Sequence, residues 1–210
     1  MTRWTGLACL AAAAALLLHG CGAVVIGAGA ATAYSSYEDR RSTGTQLEDE
    51  GIELRAMNRI DQRYGFKVHV NVTSFNRSVL ITGEVPDTQA REEVGKMVTT
   101  AGNVRAVANE LEIATTSSLA ARTNDSLITS NVKARFLTAK GFSANHVKVV
   151  TEAGVVFLMG VVTEAEANAA AQVASTTDGV RKVVKVFEYC KSGETLCRPV
   201  APTGKPKPAA

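Results

Sequence analysis

Aromatic residues are scarce, at 5% of 210 residues, and histidine occurs only three times. Any core is therefore aliphatic, drawn from the 46% of residues that are apolar. An excess of charge is missing as well: 23 Lys and Arg face 20 Asp and Glu, and a net +3 does not point to nucleic acid. The apolar run over residues 7–18 is twelve long, too short to span a bilayer and of the length of a signal-peptide core. No Ser or Cys nucleophile stands in a recognisable motif, so no catalytic residue and no cofactor is assigned. Gly27-Ala28-Gly29 is not followed by a βαβ unit and is not a dinucleotide loop.

What charge there is lies unevenly. Residues 46–113 hold eight basic and eleven acidic side chains, residues 119–190 eight basic and six acidic, and residues 191–210 four basic and one acidic. An anionic partner is thus biased towards the C-terminal half.

Arg3 is the only charged side chain in the first 37 residues. Leu18-His19-Gly20-Cys21 follows the apolar run and resembles the lipobox of bacterial lipoproteins, in which the Cys becomes the acylated N-terminus; His19 is unusual there. The resemblance implies a signal peptide over residues 1–20 and lipidation of Cys21. Gly22, in place of the Asp that commonly retains such proteins at the inner membrane, implies the outer membrane, facing the periplasm. The alternative is an ordinary secretory signal with a chance Cys. Residues 21–45 then form a lipid-anchored linker. Cys190 and Cys197 can pair in that oxidising compartment, or remain two unrelated thiols. The residues 191–210 form a flexible tail rich in Pro and Lys.

An internal repeat organises the rest. Asp49, Ile52, Arg59 and Ile60 recur as Asp125, Ile128, Arg135 and Phe136, at an offset of 76. Val70, Gly83 and Gly102 recur as Val147, Gly160 and Gly179, at 77. Each copy reads as helix, strand, strand, helix, strand. Ile52, Ala56 and Ile60 form one helical face, as do Ile128, Val132 and Phe136. Val68, Val70 and Val72 alternate with polar residues as a half-buried strand does. Thr163 and Glu166 have the spacing of a capping box. Gly102 and Gly179 are expected to stop the second helices. Val107, Leu111 and Ile113 close one sheet; Val183, Phe187 and Tyr189 close the other. The fold class is α+β, two tandem αββαβ modules over residues 46–117 and 118–190. Each has a small three-stranded sheet against two helices, near the lower size limit for an independent core.

This order of elements, with Asn124-Asp125-Ser126, Val147-Lys148-Val149 and the run from Val156 to Glu164 around Gly160, resembles the BON domain of bacterial envelope proteins. With the lipobox, the whole resembles dual-BON outer-membrane lipoproteins linked to envelope stress and the division site. The resemblance implies no catalysis, and anionic phospholipid bound through the first helix of the second copy. Carried over, that helix is residues 125–139, with Leu127, Ile128, Asn131, Val132, Lys133, Arg135 and Leu137 as the lipid-binding set. Basic residues beside an apolar face suit an interface. Relatives can carry an aromatic residue where Leu127 stands. Ile128, Val132 and Phe136 also match the core face of the first copy, so Leu127, Lys133 and Leu137, off that stripe, are the stronger candidates.

The acidic first module leaves a second reading open, an adaptor for envelope assembly, cell-wall or division proteins. No metal site is expected. His69 and His146, 77 apart, read as exposed strand positions, and a shared site would require the modules to face each other. Asp49-Glu50 and Glu92-Glu93 read as solvated helix surfaces.

Overall fold

Two helical stripes spaced by four residues create the two cores. In the computed structural model, which describes residues 39–198, α1 (Thr43–Tyr64) buries Asp49, Ile52, Ala56 and Ile60. Its N-cap is Ser42, whose hydroxyl accepts from the Thr45 N–H. The helix thus begins inside the segment expected to be linker, because a capping residue is available there. A 3₁₀ turn (Gly65–Lys67) leads to β1 (His69–Phe75), which pairs antiparallel with β2 (Ser78–Val85). The connecting residues Asn76 and Arg77 have φ of 52° and 63°, the type I′ geometry that matches strand twist.

Asp87 caps α2 (Thr88–Thr99), and the chain returns parallel to β2 as β3 (Ala106–Asn109) and β4 (Glu112–Ile113). A parallel return needs a crossover, which α2 supplies. The expected closing strand is broken in two, where the Asn109 side chain accepts from the Leu111 N–H.

The second copy repeats this. Ser118 caps α3 (Leu119–Thr138), which starts six residues earlier than expected, and a 3₁₀ turn (Ala144–His146) precedes β5 (Lys148–Glu152). β6 (Val155–Val162) follows a turn at Ala153 and Gly154, with φ of 48° and 72°. The capping box forms at α4 (Glu164–Ser175): the Thr163 hydroxyl accepts from the Glu166 N–H while the Glu166 carboxylate accepts from the Thr163 N–H. β7 (Lys182–Tyr189) runs parallel to β6 without a break. Gly102 and Gly179 do not cap α2 and α4. Those helices end on Thr100 and Thr176, and the glycines follow in the next turn, with φ of 85°.

Gly83 and Gly160 are needed for a different reason. A Cβ on Gly83 would lie 2.0 Å from the His69 carbonyl oxygen, and one on Gly160 2.2 Å from that of His146. Each central strand passes its neighbour so closely that no side chain fits.

Side-chain parity along β2 and β6 builds the tertiary structure. Val79, Ile81 and Val85 face α1 and α2; Val156, Leu158 and Val162 face α3 and α4. The opposite faces do not meet water. Phe75 and Leu80 of the first copy join Phe157, Met159 and Val161 of the second in a third core. Both central strands are therefore buried on both sides. This seam supplies core that a module of about 70 residues lacks alone. Its end is closed by the Cys190–Cys197 disulfide, whose residues belong to the same cluster.

Candidate functional site

The same parity that buries the seam decides which polar groups lie in it. His69 and Asn71 on β1 and Glu84 on β2 point away from the first helical core, and Glu152, the last residue of β5, points in from the second copy. The His69 Nδ1 lies 3.0 Å from a Glu84 oxygen and 3.6 Å from a Glu152 oxygen. Asn71 Nδ2 donates to Glu152 at 2.9 Å, and the Ser117 N–H donates to Glu84 at 3.0 Å. Burial pushes the Glu152 carboxyl above its ordinary value; Asn71 and His69 oppose this, and the Glu84 charge adds to it. Further along, Glu188 pairs with Arg105 and accepts from Asn76 at 2.7 Å. Burial works to raise Glu188, but these donors hold it below the usual carboxylate value.

His69 and His146 are thus not the exposed strand residues expected. His69 is largely covered by the other module, and His146 is buried in a 3₁₀ turn with its Nδ1 3.6 Å from Glu166. Asp49 is not a solvated helix residue either. It is 2% exposed, and its carboxylate accepts from the N–H groups of Asn76 and Arg77, the Ser74 hydroxyl and the Arg41 guanidinium. Asp125 accepts from the N–H groups of Ala153 and Gly154. The repeated Asp is an acceptor for the I′ turn of its own hairpin. Recurrence at one offset was the available signal; the partners lay too far along the chain to be read from it.

The expected lipid-binding residues on α3 divide into three groups. Ile128 and Val132 are 3% and 0% exposed in the second core, so they cannot reach a bilayer and are removed from the contact set. Arg135 is exposed but committed: it donates to the Val173 carbonyl at 3.1 Å and to the hydroxyls of Thr177 and Thr176 at 2.8 and 3.0 Å. Arg59 does the same for the end of α2, donating to the Thr100 carbonyl at 2.8 Å. This Arg is a helix–helix clamp present in both copies. Leu127, Asn131, Lys133 and Leu137 are exposed, Leu127 by 59% and Leu137 by 78%.

Leu119, 80% exposed, stands five turns from Leu137 on the same line of the helix. Lys133, Phe136 and Leu137 line one side of a groove of about 520 Å³, with Ala144, Asn145 and Val147 opposite. In α1, the positions matching Leu127, Lys133 and Leu137 are Gly51, Met57 and Asp61. At these three positions the first copy has no Leu and no Lys. Cys21 lies outside the described residues, as do residues 1–38 and the tail from 199 on. Among the described residues, no helix is long and apolar enough to cross a membrane.

Comparison with known proteins matches the BON domain family model twice, over residues 49–115 and 124–191. The chain is 39% identical to the outer membrane lipoprotein DolP of Haemophilus influenzae, over 84% of this chain and 92% of that protein. It is 36% identical to a 21 kDa hemolysin of Actinobacillus pleuropneumoniae, over 72% and 79% of the two chains. The osmotically-inducible protein Y of Escherichia coli is 28% identical over 67% of this chain and 72% of its own.

Proposed function

From the premise that this chain belongs to the BON domain family, we propose that it is a non-catalytic outer-membrane lipoprotein, held through Cys21, that docks α3 on anionic phospholipid and maintains the envelope. The observation that carries this reading is the outer face of α3, where Leu127, Lys133 and Leu137 are exposed together and the first copy has Gly51, Met57 and Asp61.

The energetics require the anchor. Burying one Leu contributes about 1.5–3 kcal/mol, and one Lys near an anionic surface about 1 kcal/mol. Before ordering costs, these contacts correspond to an affinity between about millimolar and about 10 micromolar. Seventeen residues separate Cys21 from Asp39, a reach of at most about 60 Å. Confinement within that distance of the bilayer makes weak contacts sufficient.

The test is flotation of the chain from Gly22 onward, without acyl groups, with phosphatidylglycerol or phosphatidylcholine vesicles at about 10 mM accessible lipid, enough to register a millimolar contact without the anchor. Binding to the first and not the second is expected; equal or absent binding rejects the reading. Leu127→Glu combined with Lys133→Glu should abolish the binding and leave the circular dichroism spectrum unchanged.

A second reading has its own support. Leu47 and Leu54 on α1 are 69% and 64% exposed, among acidic neighbours. Such a face suits a protein of the envelope assembly or division machinery. Crosslinking in cells should then yield a discrete partner that is lost when the α1 face is changed by Leu47→Glu and Leu54→Glu.

A further inference from the structure

We propose that His69, Glu84 and Glu152 bind one divalent first-row transition-metal ion across the seam between the two modules, with Zn²⁺ the best match. The three side chains come from three strands, two of the first module and one of the second, and their ligand atoms all lie within 4.8 Å of one another. The imidazole nitrogen stands 3.0 and 3.6 Å from the two carboxylates. Ligands about 2.0–2.2 Å from one Zn²⁺ are separated by about 3–3.6 Å, so the imidazole and both carboxylates stand close to coordinating positions. One nitrogen and two carboxylate donors suit Zn²⁺ and its first-row neighbours better than Ca²⁺ or Mg²⁺, which prefer all-oxygen sites.

Each of the two carboxylates is held by a donor, as ligands of a metal site commonly are. Asn71 donates to Glu152 and lies 3.4 Å from the other imidazole nitrogen, and the Ser117 N–H donates to Glu84. His69 and the two glutamates are 14%, 7% and 10% exposed at their side chains. Two buried carboxylates outnumber the one imidazole, even when it is protonated. Arg122, which lines the same cavity as His69, donates to the hydroxyl and carbonyl of Ser117. Asp125, on the helix packed above Glu152, adds a further negative charge. A cavity of about 250 Å³ borders His69 and Arg122. Because Glu152 is the second module's only ligand, the ion would fasten the modules together. This inference is independent of lipid binding.

The experiment is calorimetric titration of the full chain, isolated in detergent and stripped with EDTA, using Zn²⁺ and Mg²⁺ salts. One Zn²⁺ per chain is expected, with Mg²⁺ at least about tenfold weaker. Glu84→Gln and Glu152→Gln keep side-chain shape and should each weaken Zn²⁺ at least about tenfold. His146→Gln, outside the cluster, should leave the affinity unchanged. At about 100 times its Kd, Zn²⁺ should raise the unfolding temperature by roughly 5–10 °C, and not in Glu152→Gln. X-ray absorption of the loaded chain should show nitrogen and oxygen ligands. Any of three results overturns the proposal: no stoichiometric binding to the wild type, full affinity in folded Glu152→Gln, or sulfur coordination.

Discussion

Replacing Asp125 by Ala tests whether a helix side chain holds the second hairpin in its I′ turn. The carboxylate is 6% exposed, and its two oxygens accept from the N–H groups of Ala153 at 2.9 Å and Gly154 at 2.8 Å. A hydrogen bond to a charged acceptor is worth about 1.5–3 kcal/mol, and a buried donor left without one costs about 1–3 kcal/mol. The Gly154 N–H is buried and cannot recover its partner from water, whereas the Ala153 N–H is only partly so. Removing the carboxylate also ends the cost of burying its charge, which offsets part of the loss. The net expectation is a destabilisation of about 2–4 kcal/mol. Asp125→Asn keeps one acceptor oxygen and should lose about half of that. Guanidinium unfolding followed by far-ultraviolet circular dichroism is the appropriate assay, because the single tryptophan is Trp4 and fluorescence would report nothing of the hairpin. A loss below about 1 kcal/mol for the Ala variant, or an Asn variant as damaged as the Ala variant, would refute the capping role.

Gly83→Ala and Gly160→Ala should each cost more than about 4 kcal/mol, since the new Cβ meets backbone that cannot retreat; a soluble variant with near-native melting would contradict this. Arg135→Ala should lower stability by about 1–2 kcal/mol in denaturant and leave vesicle binding unchanged, while Leu137→Glu should do the reverse. Acid sensitivity should centre on Glu166: burial tends to raise its carboxyl, but Arg40 and Thr163 outweigh this and hold it at about 2. Its folded value lies below the ordinary 4.5, so its contribution is complete above about 4.5 and lost as pH falls towards 2. Discounted for screening at 15% exposure, that contribution is about 1–2 kcal/mol. Arg40→Ala should therefore move the acid-unfolding midpoint upward, as read by circular dichroism across that range, and an unmoved midpoint would count against the pairing.

The periodicities located the elements because each obeys one local rule. Ile52, Ala56 and Ile60 could only be a helix face, and the Thr163–Glu166 box announced α4. The errors have a common origin in the second burial surface. His69 and Asn71 alternate with Val70 and Val72, which in isolation is the pattern of a strand with one wet face. That face is covered only because another sheet packs on it, and nothing local to residues 69–75 records the second sheet. The same holds for the segment before Ser42. Arg40 and Arg41 look like linker charges, yet Arg40 donates to the Val161 carbonyl at 2.8 Å in one module while Arg41 reaches Asp49 at 2.8 Å in the other.

The repeat itself sorts structure from function more sharply than exposure or charge does. Where the copies agree, the residue builds the module: Asp49 and Asp125 cap the turns, Arg59 and Arg135 clamp the helices, Gly83 and Gly160 let the strands approach. Their recurrence is accounted for by contacts within each module. Arg135 illustrates the consequence, since its charge and position on α3 argued for a headgroup contact and its match to Arg59 argued against one. Both candidate sites consist chiefly of positions at which the copies differ. Leu127, Lys133 and Leu137 replace Gly51, Met57 and Asp61, while Glu84 faces the seam where its counterpart is Val161, and Glu152 where its counterpart is Phe75. Divergence on the outer face gives α3 of the second module the exposed Leu127, Lys133 and Leu137. Divergence on the inner face makes the seam unequal: one end becomes the apolar cluster of Phe75, Leu80, Phe157 and Met159, the other a polar cluster around His69.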